Sequence, residues 1–315
     1  MRSKHASRQS IRGISLIEVL ISVTIGLVVL AAVIVSYVGS GKASRHQAAL
    51  TQMNQDAQIG LNLLSREIQL AGYSAPSALT NTAAAGSTPV FVVSYNLGTV
   101  TAPIFGCDVN QSVGTFVDPT AVNLVCGNNG ATPTFSGLGV IYEADAKNTV
   151  PSAVGVPTDC LGGTIAAEAG GYYLARNRYF VDKATGANAS GRPELFCASN
   201  KAGASKQPLL ENVEDMQIWY GVGAGGGSRQ VIRYAKAGKD ATTPNTVNAV
   251  GATEWANVIG VRVCLLMRSA EPILQSGGED TVRYFDCDAV PHDSADGYLR
   301  RAYFTTSTLR SKMAF

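Results

Sequence analysis

The amino-acid sequence predicts an α+β chain, one long N-terminal helix followed by an antiparallel β-sheet domain. Three observations carry that reading. An apolar run extends from Ile14 to Val35 with no proline in it. A helical hydrophobic period continues behind it to Ala71. The composition then turns to Ala, Gly, Thr, Ser and Asn around short β-prone runs.

The apolar run comes first. A helix from Ile14 to Val35 rises about 33 Å, enough to cross a hydrocarbon core of about 30 Å. Its single charged residue is Glu18. A carboxyl inside such a span costs roughly 2.5–3.5 kcal/mol, so it implies a partner or a function. Arg2, Lys4, Arg8 and Arg12 precede the run with no acid beside them. By the positive-inside rule they hold the N-terminus in the cytoplasm, and everything after Val35 is exported. The 315 residues carry 25 basic and 23 acidic side chains. With four of the bases in the leader, the remainder is slightly acidic and shows no global nucleic-acid footprint. An uncleaved signal anchor with a tolerated Glu18 is the plain alternative. A secretory signal peptide fits less well, since its apolar region is roughly 7–15 residues long.

Gly13-Ile14-Ser15-Leu16-Ile17-Glu18-Val19-Leu20 resembles the class III signal of type IV prepilins and type II secretion pseudopilins. The resemblance implies that a prepilin peptidase cuts the Gly13–Ile14 bond and methylates the new N-terminus at Ile14, with Glu18 as the assembly residue. The residues suit that chemistry. Glycine before the cut offers a backbone without side-chain obstruction. Glu18 lies one helical turn from Ile14, so its carboxylate can face an N-terminal ammonium, its own or a neighbour's. In lipid that attraction is far stronger than in water. One departure stands out: major pilins often carry a proline where this chain has Val35, so a proline bend is not expected, although Gly26 could loosen the helix.

The helix is expected to continue. Leu50, Met53, Ala57, Leu61, Leu64, Ile68 and Ala71 recur at helical spacing, with Gly39 and Gly41 as the weak point. Gly72-Tyr73, with Pro76 close behind, makes a stop. Leu64-Ser65-Arg66-Glu67-Ile68-Gln69-Leu70-Ala71-Gly72-Tyr73 resembles the end of the N-terminal helix in PilW-type minor pilins. Any amphipathic helix with a glycine cap explains the pattern, but not its placement behind such a signal. The expected segments are a leader peptide over 1–13, a transmembrane and assembly helix over 14–35, its amphipathic continuation over 36–72, and an exported, disulfide-stapled, β-rich pilin domain over 73–315.

Within that domain, Pro89–Tyr95, Ala121–Cys126, Leu138–Glu143, Tyr172–Asp182 and Pro193–Ala198 are candidate strands. A block from Leu209 to Tyr220, another from Trp255 to Leu266 and a basic strand Arg300–Leu309 resemble the sheet of PilW and the larger pseudopilins. In the second block Arg262 alternates with apolar neighbours, as in a half-buried strand. The resemblance covers roughly 12–73 and 207–310. Cys107, Cys126, Cys160, Cys197, Cys264 and Cys287 all fall in the exported part, and an even number there reads as disulfides. Many pairings are open; joining sequence neighbours gives Cys107–Cys126, Cys160–Cys197 and Cys264–Cys287, each contributing about 3 kcal/mol. No pair has CxxC spacing, so no zinc site is expected.

Other motifs are weak. Gly221-Val-Gly223-Ala-Gly225-Gly226 matches GxGxxG, but Gln230–Tyr234 behind it reads as a strand, so a hairpin loop is expected and not a nucleotide site. Beyond the leader the histidines are His46, on the helix, and His292. His292 sits among Asp286, Asp288, Asp293 and Asp296, which reads as a cation-binding cluster or, more simply, an exposed acidic loop. The sequence has no GxSxG or HExxH, and no cofactor is expected.

The resemblance implies a minor pilin acting in type IV pilus assembly, at or near the tip. Its partners would be other minor pilins, the major pilin, a tip adhesin and the prepilin peptidase, with a membrane stage and no nucleic acid. A type II secretion pseudopilin is the alternative in the same class. A pilus-borne binding module would need a basic or aromatic patch, and an anchored enzyme would need a catalytic motif.

Overall fold

The computed structural model describes residues 13, 15–74, 95–96, 101–109, 135–168, 171–183, 191–198, 206–225, 227–238, 249–273 and 281–313. Ile14, Cys126 and the candidate strands over 89–95 and 121–126 lie outside them, apart from Tyr95. The chain forms two compact units, Met1–Ala49 and Leu50–Phe315.

A single helix, α1, runs Leu16–Leu70, 55 residues. It begins where the Ser15 carbonyl accepts from the N–H groups of Glu18 and Val19 at 3.0 and 3.2 Å. Gly39 and Gly41, the expected weak point, are helical. With no proline, the i→i−4 ladder loses no donor along its length. The helix ends at Gly72, whose φ of +73° is cheap only for glycine. A Cβ there would lie 2.8 Å from both Pro103 Cβ and Ser311 Oγ. The exit is tied down on two sides: Gly72 N–H donates to the Ile141 carbonyl at 2.8 Å, and Ser311 Oγ to the Ala71 carbonyl at 2.7 Å.

In the first unit the described apolar side chains of the helix are exposed, among them Leu16, Leu27, Val28, Val35 and Tyr37. Burial begins only near Leu50. Within the expected amphipathic stretch 36–72, the part from Leu50 onward is the part buried in the second unit.

In the second unit, β1 (Tyr95–Asn96) and β2 (Thr101–Ala102) make a short ladder. β3 (Ile104–Val109), β4 (Phe135–Ala144), β5 (Tyr173–Lys183), β6 (Pro193–Ala198) and β7 (Lys206–Glu211) follow as an antiparallel meander, in spatial order β3-β4-β5-β6-β7. β8 (Val213–Gly223), β9 (Val231–Ala235) and β10 (Val258–Arg268) pair antiparallel in the order β10-β8-β9. A hairpin of β11 (Val282–Phe285) and β12 (Pro291–Ser294) comes next. The last strand, β13 (Arg300–Thr308), completes a four-stranded sheet, β13-β10-β8-β9.

The block from Leu209 to Tyr220 is thus not one strand. Asn212, at φ +60°, breaks it, so that β7 closes one sheet and β8 enters the other. Asparagine is among the few residues that adopt this conformation readily. In β10 the expected alternation holds. Val261, Val263, Leu265 and Met267 are buried, whereas Arg262 is exposed, its guanidinium 4.8 Å from the Phe304 ring centre and 5.6 Å from that of Trp219. On the same face as Arg262, Cys264 and Leu266 are covered by the hairpin, which Cys287 ties to Cys264.

The stripe of α1 from Met53 to Ala71 packs on both sheets. Met53, Ala57, Leu64, Ile68 and Ala71 are fully or almost fully buried. A Cβ on Gly60 would lie 2.6 Å from Leu210 Cδ2 in β7 and 3.0 Å from Leu265 Cδ1 in β10, so glycine lets helix and strands approach closely. Tyr303 OH donates to Asn54 Oδ1 at 2.6 Å, and the Ser65 and Ser307 hydroxyls meet at 2.7 Å. Each large apolar side chain so buried contributes about 1.5–3 kcal/mol. Between the sheets, Trp255 packs on Phe105 and Tyr220 at centroid distances of 5.0 and 4.8 Å.

Candidate functional site

The first unit holds the N-terminal segment. Gly13 is exposed, while Ile14, the other half of the expected scissile bond, lies outside the described residues. Glu18 occupies the first helical turn, where the helix dipole favours a negative charge. Its side chain is exposed, and no cation lies within ion-pair distance of it among the described residues. Ser22 Oγ donates to the Glu18 carbonyl at 2.7 Å and Thr24 Oγ1 to the Ile21 carbonyl at 2.8 Å. The Ser22 and Thr24 hydroxyls are thereby satisfied inside the helix, which suits an apolar medium. α1 is long and apolar enough to cross a membrane.

The second unit contains a polar node that the sequence did not reveal. Glu67, inside the Arg66-Glu67 block, points inward between α1 and the five-stranded sheet. Asn177 Nδ2 donates to its Oε2 at 2.9 Å, Tyr142 OH approaches Oε1 at 3.5 Å, and the Tyr179 hydroxyl bonds to it as well. Asn177 is itself fully buried and accepts from the Cys160 N–H at 3.2 Å. Burial pushes the Glu67 carboxyl above its ordinary range, and the hydrogen bonds from Asn177 and Tyr179 oppose that rise. Burial likewise raises both tyrosine hydroxyls. Arg66 turns the other way, donating to the Asn148 carbonyl at 2.8 Å. Above the node lies a groove of about 490 Å³, with Arg66, Glu67, Tyr142, Asn148, Asp159 and Tyr179 in its wall. Such a network adds little stability over a buried apolar pair.

The remaining candidates resolve as follows. Cys160 is joined to Cys197 and Cys264 to Cys287, with Cα–Cα distances of 6.5 and 5.8 Å. Cys107 is also disulfide-bonded, its partner lying outside the described residues, as Cys126 does. Gly221 and Gly223 end β8, Gly225 turns at φ +82°, and the antiparallel β9 follows. No helix N-terminus follows the glycines. His46 is exposed on α1. His292 Nε2 bonds Asp286 at 2.8 Å across the β11–β12 hairpin, Asp288 pairs with Lys236 at 2.8 Å, and Asp296 pairs with Arg300. Asp288 and Asp296 thus have separate cationic partners and Asp286 is bonded to the His292 ring, and no group able to hold a metal ion occurs among the described residues.

Two family models match the chain. One, the prokaryotic N-terminal methylation motif, covers residues 8–34, and so takes in Gly13 and Glu18. The other, type IV pilus-assembly protein W, covers residues 178–311, from β5 past β13. No curated protein matches. A type IV-like pilin from Thermus thermophilus matches in structure at 11% identity over 82% of this chain and 96% of that one. Its TM-score of 0.36 is too low to add to the argument. Through the two family models, the chain is a type IV pilin-like protein whose methylation motif and apolar helix fit a membrane-anchored pilin. More particularly, residues 178–311 match the type IV pilus-assembly protein W family.

Proposed function

We propose that this chain is a minor pilin acting in type IV pilus assembly, within a tip or priming complex. The observation that supports this most directly is the N-terminal segment: a methylation motif leading into a helix whose apolar side chains are exposed all round. Such a surface first needs lipid and then other helices of the same kind. On this reading prepilin peptidase removes residues 1–13 and methylates Ile14. The span 14–35 waits in the inner membrane with its N-terminus cytoplasmic and the domain over 73–315 periplasmic. The subunit then enters the pilus and reaches the cell surface. The Glu18 carboxylate pairs with an N-terminal ammonium, and the β domain meets other minor pilins, the major pilin and a tip adhesin. The work done is assembly and not catalysis. A type II secretion pseudopilin uses the same N-terminal chemistry and is the second reading.

The test is the location of the protein in sheared pili and in membranes, with and without prepilin peptidase. Gly13→Val is expected to leave a full-length precursor in the membrane and none in pili. Mass spectrometry finding residues 1–13 on wild-type protein in pili would overturn the processing step, and absence from pili would favour the secretion apparatus.

A further inference from the structure

The glycine run at the end of β8 and the turn after β13 meet at a cavity that pilus assembly does not explain. Lys312 stands in the short 3₁₀ turn Arg310–Lys312. Its side chain is partly buried, and Nζ donates to the Ala256 carbonyl at 3.0 Å. Among the described residues no carboxylate lies within ion-pair distance of it. Surface lysines ordinarily keep the ammonium in water. Burial here lowers the Lys312 pKa, as expected for a cation drawn out of solvent without a counter-charge.

The space in front of that ammonium is small and largely polar. The cavity measures about 90 Å³, and Gly225, Gly227, Ser228, Ala256, Asn257 and Lys312 line it. Gly225 and Gly227 have φ of +82° and +81°, so any side chain there would be strained. The Asn257 amide lies 3.6–3.9 Å from where a Gly225 Cβ would stand, and the missing side chain leaves the amide open to the cavity. Among the described residues the wall thus offers one ammonium, one amide and the Ser228 hydroxyl, and no acid.

We propose that this cavity is a small oxyanion site, taking a phosphate or sulfate group with Lys312 as its counter-charge. A lysine ammonium is a compact point charge suited to that group, and bonds to an ionised acceptor are the stronger kind. The volume falls well below the roughly 300–1,000 Å³ of a small-molecule pocket, so the glycine spacing does not mark a nucleotide site. The group arrives either as a free ion or as the exposed end of a phosphate ester.

The full-length protein in detergent, in phosphate-free buffer, is titrated with inorganic phosphate, sulfate and glycerol 1-phosphate. Chloride at equal ionic strength is the reference. Equilibrium dialysis and amide NMR shifts give the readout. Saturable binding of phosphate or sulfate is expected, with shifts confined to the neighbourhood of Gly225, Ser228, Asn257 and Lys312. Lys312→Met should weaken it about tenfold or more, the factor one charged hydrogen bond supplies. Lys312→Arg should retain it, and Lys147→Met, at an exposed lysine elsewhere, should leave it unchanged. Glycerol 1-phosphate binding as well as inorganic phosphate assigns the site to an ester; binding of the inorganic ion alone assigns it to the free ion. Non-saturating binding to the wild type overturns the proposal, whether or not Lys312→Met folds, and so does binding that Lys312→Met leaves intact.

Discussion

The two halves of α1 are the same secondary structure on one continuous backbone, yet their side chains solve different problems. From Leu16 to Tyr37 apolar residues cover every face and are exposed. From Leu50 to Leu70 they are confined to one stripe and are buried against strands of the same chain. A narrow stripe tells where an internal partner lies. An apolar surface on all sides means that the partner is outside the chain. The second half is part of the β domain's core.

The strongest way to break this comparison is to truncate equivalent side chains in each half. Leu64→Ala, at a site with no solvent exposure, should destabilise the domain by about 3–5 kcal/mol. Leu27→Ala should change its stability by less than about 0.5 kcal/mol. Denaturant unfolding followed by tryptophan fluorescence reads this directly, because both tryptophans, Trp219 and Trp255, lie in the second unit. Comparable losses from both variants would show that the first half also packs on the domain.

Glu18→Leu sharpens the comparison from the other side. Removing a charge from lipid favours membrane insertion by up to about 2.5–3.5 kcal/mol. A plain anchor should therefore be retained as well as wild type or better. An assembly helix should be retained in the membrane but enter pili poorly, because the ammonium it serves is left unpaired in a poor dielectric. Glu18→Asp should fall between the two. Immunoblots of membrane and sheared-pilus fractions decide, and equal incorporation of all three proteins would reduce Glu18 to a tolerated residue.

The smallest effect belongs to pH and acts on the second unit alone. Burial raises the Asp215 carboxyl to about 6, while hydrogen bonds from Gln217 and the Lys236 charge hold it from rising further. The folded state therefore holds this proton more tightly than the unfolded chain, whose aspartates titrate near 3.9. The stability it contributes is fully present below about pH 4 and is lost as the pH rises through about 6. Asp215→Asn should remove that dependence and raise stability at pH 7 by about 1–2 kcal/mol, measured by unfolding between pH 4 and 8. A fall in stability at pH 7 would mean that the carboxylate is better paired in solution than its surroundings imply.

The parts of the fold legible in sequence are those where one physical signal dominates. The stop at Gly72 required only a residue tolerant of positive φ, and the helical period before it named Met53, Ala57, Leu61, Leu64 and Ile68, all of which are buried. Arg262 among valines read correctly as a half-buried strand because one face of β10 meets the core. β5 was located to within a residue, but its role was not foreseen. It is buried on both faces and still carries Asn177, Arg178 and Asp182; Asn177 bonds to Glu67 and Tyr142, and Asp182 to Lys206, all distant in sequence. Glu67 was hidden for the same reason. On a helical wheel it is one more acid, and only its bonds to Tyr142, Asn177 and Tyr179 set it apart. Glu18 stands out in sequence because its neighbours are uniformly apolar, whereas Lys312 and its cavity depend on three segments that only the fold brings together.

Asn212 has a consequence for how such a chain can change its length. It is one buried residue, held between the edge strand β7 of one sheet and the inner strand β8 of another, with its carbonyl accepting from Arg268 N–H at 2.9 Å. An inserted residue in a surface connection is absorbed at little cost. One inserted between Glu211 and Val213 would turn every side chain of β8 to the opposite face, sending Met216, Ile218 and Tyr220 to the outside and Gln217 and Trp219 to the core. The corner therefore acts as a ruler for the lineage. Homologues should differ freely in the number of residues along the meander, yet keep a constant count from Glu211 to Tyr220.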